Sequence, residues 1–323
     1  MGKILRIGDM HVKVDNLEES ERLLQFILDE AIKNKVCRIE FMGDLLHNHA
    51  VIRMEVLDFW RRWFDKLSGY FSVLSLCGNH DQNPSKEMEQ KMNALQFLDH
   101  FDSVNIISYT KVIGNTLYIP HMSSQEMFAD TLKQFEHIPT KFLVSHQTYE
   151  GSQYESGTYA KDGFDVKLVE RFEAVVNGHI HKQQRFANIF CIGTPRWDTS
   201  GDCDEKKGIW LFQDDGITAD FISTETVCSP IVSAIWKEGD PEPTISDKPN
   251  VRTFLTLEGS AAWIVSASKK FAGIRIIPRP TDAKDRRENN ASKLATLESY
   301  SNDFKFSPEV SAEEVISYIK GQV

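Results

Sequence analysis

Short β-rich runs and amphipathic helical stretches take turns through the first ~220 residues of this 323-residue chain, and five of the runs end in polar blocks. Lys3–Ile7 reads as a strand. Leu23, Leu24, Ile27, Leu28, Ala31 and Ile32 follow at helical spacing, behind a capping-box-like Asn16…Glu19. Val36–Met42 with Val51–Leu67, and Ser72–Cys77 with Lys86–Phe101, repeat the strand–helix pair. Val104–Ser108 precedes a hairpin over Lys111–Ile119 that turns at Gly114-Asn115. A helix near Ser124–Phe135 leads into the strand Phe142–Ser145. Ala174–Val176, Arg185–Ile192 and Gly208–Phe212 read as further strands, the last turning at Asp215-Gly216. Such alternation is what α/β layering requires.

The composition shifts after this region. Lys237–Pro249 is rich in Pro, Asp, Glu and Gly, a loop or boundary signal. Beyond it Arg252–Leu257, Ser260–Lys270 and Ile274–Ile277 read as strand, helix, strand, a small appended α/β unit. Thr281–Asn290 is charged and poor in apolar groups, as a solvated linker is. Ser311-Ala-Glu-Glu then caps a terminal helix with Val315, Ile316 and Ile319 on one stripe. The expected organisation is a main domain over 1–225, a small domain over 226–281, a linker over 282–303 and a C-terminal helix over 304–323.

Five cysteines, odd in number and never in a C-x-x-C pair, argue for a reducing compartment and against a disulfide scaffold or a thiolate zinc site. No apolar run approaches the ~20 residues that span a bilayer, and the motif-bearing N-terminus leaves no room for a signal peptide. A cytoplasmic protein with no membrane contact is expected. The net charge of −10 argues against holding nucleic acid by bulk positive charge. That charge is unevenly spread. Residues before 221 carry 24 basic and 33 acidic side chains, net −9, whereas 252–293 carries nine basic and four acidic, net +5.

The chemistry sits in five blocks at predicted strand ends, where α/β folds place ligand sites. They are Gly8-Asp9-Met10-His11, Gly43-Asp44-Leu45-Leu46-His47, Gly78-Asn79-His80-Asp81, Ser145-His146 and Gly178-His179-Ile180-His181. The spacing of two in Asp9-x-His11 and His179-x-His181 keeps each pair on one side of an extended backbone. A lone Asp-x-His is an ordinary solvated pair, and Gly-Asn-His-Asp alone is a good turn. Five blocks in order, each at a strand end, are a site. Asp9, His11, Asp44, Asn79, His146, His179 and His181 make seven donors, too many for one ion and suited to two that share a carboxylate. The mixed carboxylate, amide and imidazole set fits Mn²⁺, Fe²⁺ or Zn²⁺. Paired ions can clamp a phosphate for in-line displacement. His80 is placed to serve the leaving oxygen, with Asp81 able to orient its ring.

These residues resemble the calcineurin-like metallophosphoesterase superfamily, whose pattern is D-x-H, G-D, G-N-H-D/E, H and G-H-x-H. The resemblance implies a four-layer α/β/β/α sandwich, here with a small appended α/β capping domain and a C-terminal helix. It implies that Asp9, His11, Asp44 and His181 hold one metal, that Asp44, Asn79, His146 and His179 hold the other, and that His80 is the catalytic histidine. Phosphatases of this superfamily usually carry G-D-x-x-D-R-G and G-N-H-E. Gly-Asp-Leu-Leu-His and Gly-Asn-His-Asp look instead like the nuclease subunit of the SbcD / meiotic-recombination-eleven family, in a compact version such as a phage would encode.

That likeness adds His47 as a histidine acting near the site. It places the Gly193-Thr194-Pro195 turn beside the substrate channel, with Thr194 and Arg196 as substrate-binding residues. It further implies two divalent ions, Mn²⁺ foremost with Mg²⁺, Fe²⁺ or Zn²⁺ as alternatives, a DNA substrate, a homodimer, and an SbcC-like ATPase bound through the C-terminal helix. A phosphomonoesterase or small-molecule phosphodiesterase of the same superfamily is the alternative. A non-catalytic scaffold is a third reading, disfavoured because all seven donors are present.

Several features take a plain reading. Phe59, Trp60, Trp63 and Phe64 at helical spacing are a core or dimer face rather than a base-stacking platform. Gly151–Gly163, with Tyr154 and Tyr159, reads as a mobile loop whose position leaves a substrate-side placement open. His49 reads as a solvated loop histidine, and His100, His121 and His137 as surface or core residues.

Overall fold

Strand β1 (Ile4–Ile7) is buried along its whole length and opens the chain order. It is followed by α1 (Leu17–Lys33), β2 (Arg38–Phe41), α2 (Met54–Ser68), β3 (Ser72–Leu76) and β4 (Val104–Ile107). Next come β5 (Lys111–Ile113), β6 (Thr116–Ile119), α3 (Gln125–Gln134), β7 (Phe142–Ser145) and β8 (Ala174–Asn177). The order continues with β9 (Gln184–Phe186), β10 (Ile189–Cys191), β11 (Gly208–Phe212) and β12 (Ala219–Ser223), and closes with β13 (Ile231–Lys237), β14 (Arg252–Gly259), α4 (Ala261–Ser268) and β15 (Arg275–Pro280). This structure, a computed structural model, describes residues 2–49, 51–82, 93–99, 101–203, 205–245, 251–271 and 273–281. The expected linker, the C-terminal helix, His100 and half of the Lys86–Phe101 helix lie outside the described residues; within the other half Ala94–Leu98 is a 3-10 turn.

Two six-stranded sheets carry the fold, ordered β12-β11-β1-β2-β3-β4 and β5-β6-β7-β8-β10-β9. The centre of each is parallel: β1, β2, β3 and β4 in one, β6, β7, β8 and β10 in the other. Alternation along the strands sends successive side chains to opposite faces. Thus Tyr118, Val144 and Val176 meet Ile4, Leu74, Leu76 and Phe212 between the sheets. Their neighbours Leu117, Leu143 and Val175 turn outward to pack with Phe128 and Leu132 of α3. On the other side, α2 sets Trp60 and Phe64 against Phe41, with ring centroids 5.7 and 5.6 Å apart. Phe59, Trp60, Trp63 and Phe64 are therefore core. The result is the expected α/β/β/α layering.

One charged cluster is sealed between the sheets. Glu40, fully buried, accepts from Arg6 Nε at 2.7 Å and from the Tyr118 hydroxyl at 2.7 Å, and lies 2.7 Å from Arg38 Nη2. Two guanidinium groups hold its carboxyl below the usual glutamate range despite burial.

The Arg185–Ile192 segment is not one strand. It is a tight antiparallel pair, β9 and β10, reversed at Ala187 with φ +47°. The chain divides into two compact units, Met1–Ser233 with Ile245–Phe254 and Ala234–Thr244 with Leu255–Val323. Within the second, Trp236 meets Trp263 and Phe271 edge-on at 5.0 and 5.7 Å. Strands β13, β14 and β15 pair in that order. No helix among the described residues is long and apolar enough to cross a membrane.

Candidate active site

All five blocks meet, because all five follow the C-terminal ends of parallel strands. β1 delivers Asp9 and His11, β2 Asp44, β3 Asn79 and His80, β7 His146, and β8 His179 and His181. The chain must turn sharply at these ends, and three donors take up left-handed backbone: His11 at φ +43°, Asp44 at +49° and His179 at +70°. Non-glycine residues in that region are strained, and such strain gathers at functional sites. Glycine is required beside them. Gly43 has φ +106°, and a Cβ there would stand 2.3 Å from His146 Nδ1. A Cβ on Gly78 would stand 2.1 Å from Asp44 Oδ1.

The donors form overlapping groups: Asp9, His11 and His181; Asp44, His146 and His179; and His11, Asp44 and His80. Asp44 Oδ2 lies between the first two, 3.7 Å from His11 Nε2 and 3.3 Å from His146 Nε2. Its Oδ1 accepts from the His80 backbone at 2.8 Å. Asn79 Oδ1 lies 2.8 Å from His179 Nδ1 and 3.2 Å from His146 Nε2. His11 Nε2 and His181 Nε2 face each other at 3.0 Å.

Electrostatics favour a bound cation. Burial pushes Asp9 up to about 6, against the pull of His146. Burial also works against the charge on Asp44, but His146 and His11 hold it well below the carboxylate range. Burial lowers His11 strongly and takes His179 down to about 3, so both present neutral lone pairs. His146 resists its burial, drawn up to about 9 by Asp44 and Asp9. Asp9 Oδ2 and His11 Nδ1 are buried with no hydrogen-bond partner among the described residues. An orphaned carboxylate oxygen, Asp9 Oδ2, beside converging imidazoles fits a divalent cation, which satisfies a lone pair without adding a donor.

Further expected residues are placed as follows. His80 Nδ1 donates to the His47 carbonyl at 2.6 Å, and its ring is 4.6 Å from that of His11. His47 is 5.6 Å from His11 and 6.1 Å from His80, centroid to centroid. Asp81 does not orient the His80 ring. It is 1% exposed and accepts from the backbones of Gly78 at 3.0 Å and Leu46 at 3.1 Å, tying the second block to the third. The His47 carbonyl does the orienting.

Thr194 and Arg196 do not line a channel either. Thr194 donates to the Arg196 carbonyl at 3.0 Å. Arg196, 2% exposed, reaches inward to donate to Ser20 Oγ at 2.6 Å and lies 3.6 Å from Glu19 Oε1. A guanidinium so enclosed offers no face to a substrate.

Three neighbours escaped the sequence reading. His49 stacks on His80. His121 lies 5.5 Å from His179, ring to ring, and donates from Nδ1 to the His146 carbonyl at 3.1 Å. It follows the end of β6 as the other donors follow theirs, a signal that was present. Glu155 accepts from His181 Nδ1 at 2.8 Å; nothing local marked it.

A family model described as calcineurin-like phosphoesterase matches residues 2–183. The chain is 27% identical over 225 residues to the candidate phosphoesterase 244L of Invertebrate iridescent virus 6, covering 66% of this chain and 77% of that protein. It is 23% identical over 233 residues to exonuclease subunit 1 of Enterobacteria phage T4, covering 69% of this chain and 68% of that one. The solved nuclease MPE of Pseudomonas putida aligns over 68% of this chain and 87% of its own, with a TM-score of 0.33 and 12% identity.

Proposed function

Because the chain belongs to the calcineurin-like phosphoesterase family, we propose that it is a DNA nuclease subunit that hydrolyses phosphodiester bonds with two divalent cations, Mn²⁺ in first place. The observation that carries this reading is Asp44 Oδ2, set between His11 Nε2 at 3.7 Å and His146 Nε2 at 3.3 Å. One cation is held by Asp9, His11, Asp44 and His181, the other by Asp44, Asn79, His146 and His179. When bound, the pair supplies Lewis acidity, offsetting phosphate charge and making water a nucleophile near neutral pH.

The chain's own groups position and move protons. His80 has Nδ1 committed to the His47 carbonyl, so a proton for the leaving oxygen passes through Nε2. Burial lowers its pKa below the ordinary histidine value. His47, half-buried with its ring 5.6 Å from that of His11, is the further histidine assigned to meet the substrate. DNA as substrate is supported by the name of the phage T4 relative, an exonuclease subunit. It is also supported by the net +5 over 252–293, which lies in and just past the small domain proposed here for 226–281 as a DNA cap. A homodimer working in the cytoplasm with an SbcC-like ATPase, docked on the 304–323 helix beyond a 282–303 linker, completes the proposal.

The test is Mn²⁺-dependent degradation of labelled linear duplex and single-stranded DNA, with a chromogenic phosphomonoester in parallel. Wild type is expected to degrade DNA, Asp44→Ala to be inactive, and His80→Ala to lose about 10²–10⁴-fold. Rapid phosphomonoester turnover without DNA cleavage would favour the phosphatase alternative. Cleavage that survives Asp44→Ala would end the two-cation assignment.

A further inference from the structure

Building on the two-cation reading, we propose that Glu155 is a positioning residue for His181, and that through it the 149–164 loop is coupled to the cation group of Asp9, His11 and His181. His181 Nδ1–H donates to Glu155 Oε1 at 2.8 Å. A neutral imidazole has one donor and one acceptor nitrogen, so a carboxylate on Nδ1 leaves the lone pair on Nε2. That Nε2 is the atom 3.0 Å from His11 Nε2 and 3.9 Å from Asp9 Oδ2. Glu155 thus decides which nitrogen the cation group receives. His146 is oriented differently, by donating from Nδ1 to the Met42 carbonyl at 2.7 Å.

Glu155 does not come from a strand end. It sits at the tip of a loop with its own frame, bridged at Tyr149–Phe164 and Gln153–Tyr159. Ala160 N donates to Ser152 O at 2.7 Å, and Tyr154 N to Thr158 O at 2.9 Å. Gln153 and the Gln184 side chain exchange two bonds of 2.7 Å each. On its far side Gly201 leaves room, since a Cβ there would stand 2.6 Å from Glu155 Cβ. The His181 backbone is held independently: Lys207 Nζ, buried and 2.5 Å from Asp202, donates to the His181 carbonyl at 3.0 Å. Only the ring of His181 is left for Glu155 to set. A cation on Nε2 makes Nδ1–H a stronger donor, so cation binding and loop seating reinforce one another, by the same factor in both directions.

The experiment measures Mn²⁺ binding to the full-length protein by titration calorimetry and by the spin-resonance signal of free Mn²⁺. Amide hydrogen exchange over residues 150–163 is followed with and without Mn²⁺. Glu155→Ala is expected to weaken one of two Mn²⁺ ions roughly 10–100-fold and spare the other. Glu155→Gln, whose amide oxygen still accepts the bond, should fall between it and wild type. Mn²⁺ should slow exchange over 150–163 in wild type and fail to do so in Glu155→Ala. Wild-type affinity for both ions in Glu155→Ala, an equal loss at both, or exchange indifferent to Mn²⁺ in wild type would each overturn the coupling. Asp44→Ala separates the two levels. If it binds two ions as wild type does, the two-cation reading itself falls. If it loses them while Glu155→Ala does not, only the coupling falls.

Discussion

The His49 ring lies over that of His80, centroids 3.9 Å apart and planes inclined by 28°, and its Nδ1 donates to the Asn79 carbonyl at 2.9 Å. An exposed loop histidine thereby walls one face of the proposed acid. Stacked ring pairs contribute about 0.5–1.5 kcal/mol beyond their buried area. His49→Ala should therefore lower kcat/KM on DNA by roughly two- to tenfold, and His49→Phe, which keeps the stack, should lower it less. Equal kinetics for wild type and His49→Ala would remove this support for His80.

Gly43→Ala should leave the fold intact and disable the site. The added methyl would stand 2.3 Å from His146 Nδ1, on backbone at φ +106°. A displacement of about 1 Å at a reacting centre costs on the order of 100-fold in rate. Gly69→Ala is the control, because its Cβ meets nothing closer than 3.5 Å. Cleavage rates beside circular dichroism check both, and a Gly43→Ala enzyme at full rate would refute the close approach.

Arg196→Ala should act on stability and not on substrate affinity. The guanidinium is enclosed against Ser20 and Glu19 of α1. Its removal leaves a void in the packed interior, worth roughly 2 kcal/mol or more, while the Ser20 hydroxyl keeps its bond to the Asn16 carbonyl at 2.8 Å. Urea unfolding should show the loss while KM for DNA stays put. A raised KM at unchanged stability would return Arg196 to the substrate channel.

The Glu40 cluster predicts an acid-sensitive stability. Its folded-state pKa lies below the ordinary value of 4.5. The contribution is complete above that value and is lost as pH falls through the lower, folded-state value. At pH 7 Glu40→Gln leaves the buried Arg6 guanidinium without its counter-charge, a cost of about 3–5 kcal/mol. Unfolding free energies from pH 7 to pH 3 should therefore converge for wild type and Glu40→Gln as the pH drops. A constant gap would mean that the cluster does not titrate.

The amino-acid order alone was enough for the strand–helix alternation, most strands of the two large sheets though not β12 (Ala219–Ser223), and the arrival of Asp9, His11, Asp44, Asn79, His146, His179 and His181 at strand ends. These are local properties. Periodicity marks an element over a few residues, and a donor just past a strand end is carried wherever that strand goes. Tertiary structure decided what the sequence could not. Ala187 splits a single apparent strand because a positive φ at one residue leaves no periodic trace. Asp81 and His80 are adjacent, yet the folded chain gave one to the backbone of Gly78 and Leu46 and the other to the His47 carbonyl. Arg196 found Ser20 across 176 positions, and Glu155 found His181 from a loop without motif. A polar side chain takes the partner that burial brings within about 3 Å. Where that partner lies far along the chain, only the packed sheets determine which one it is.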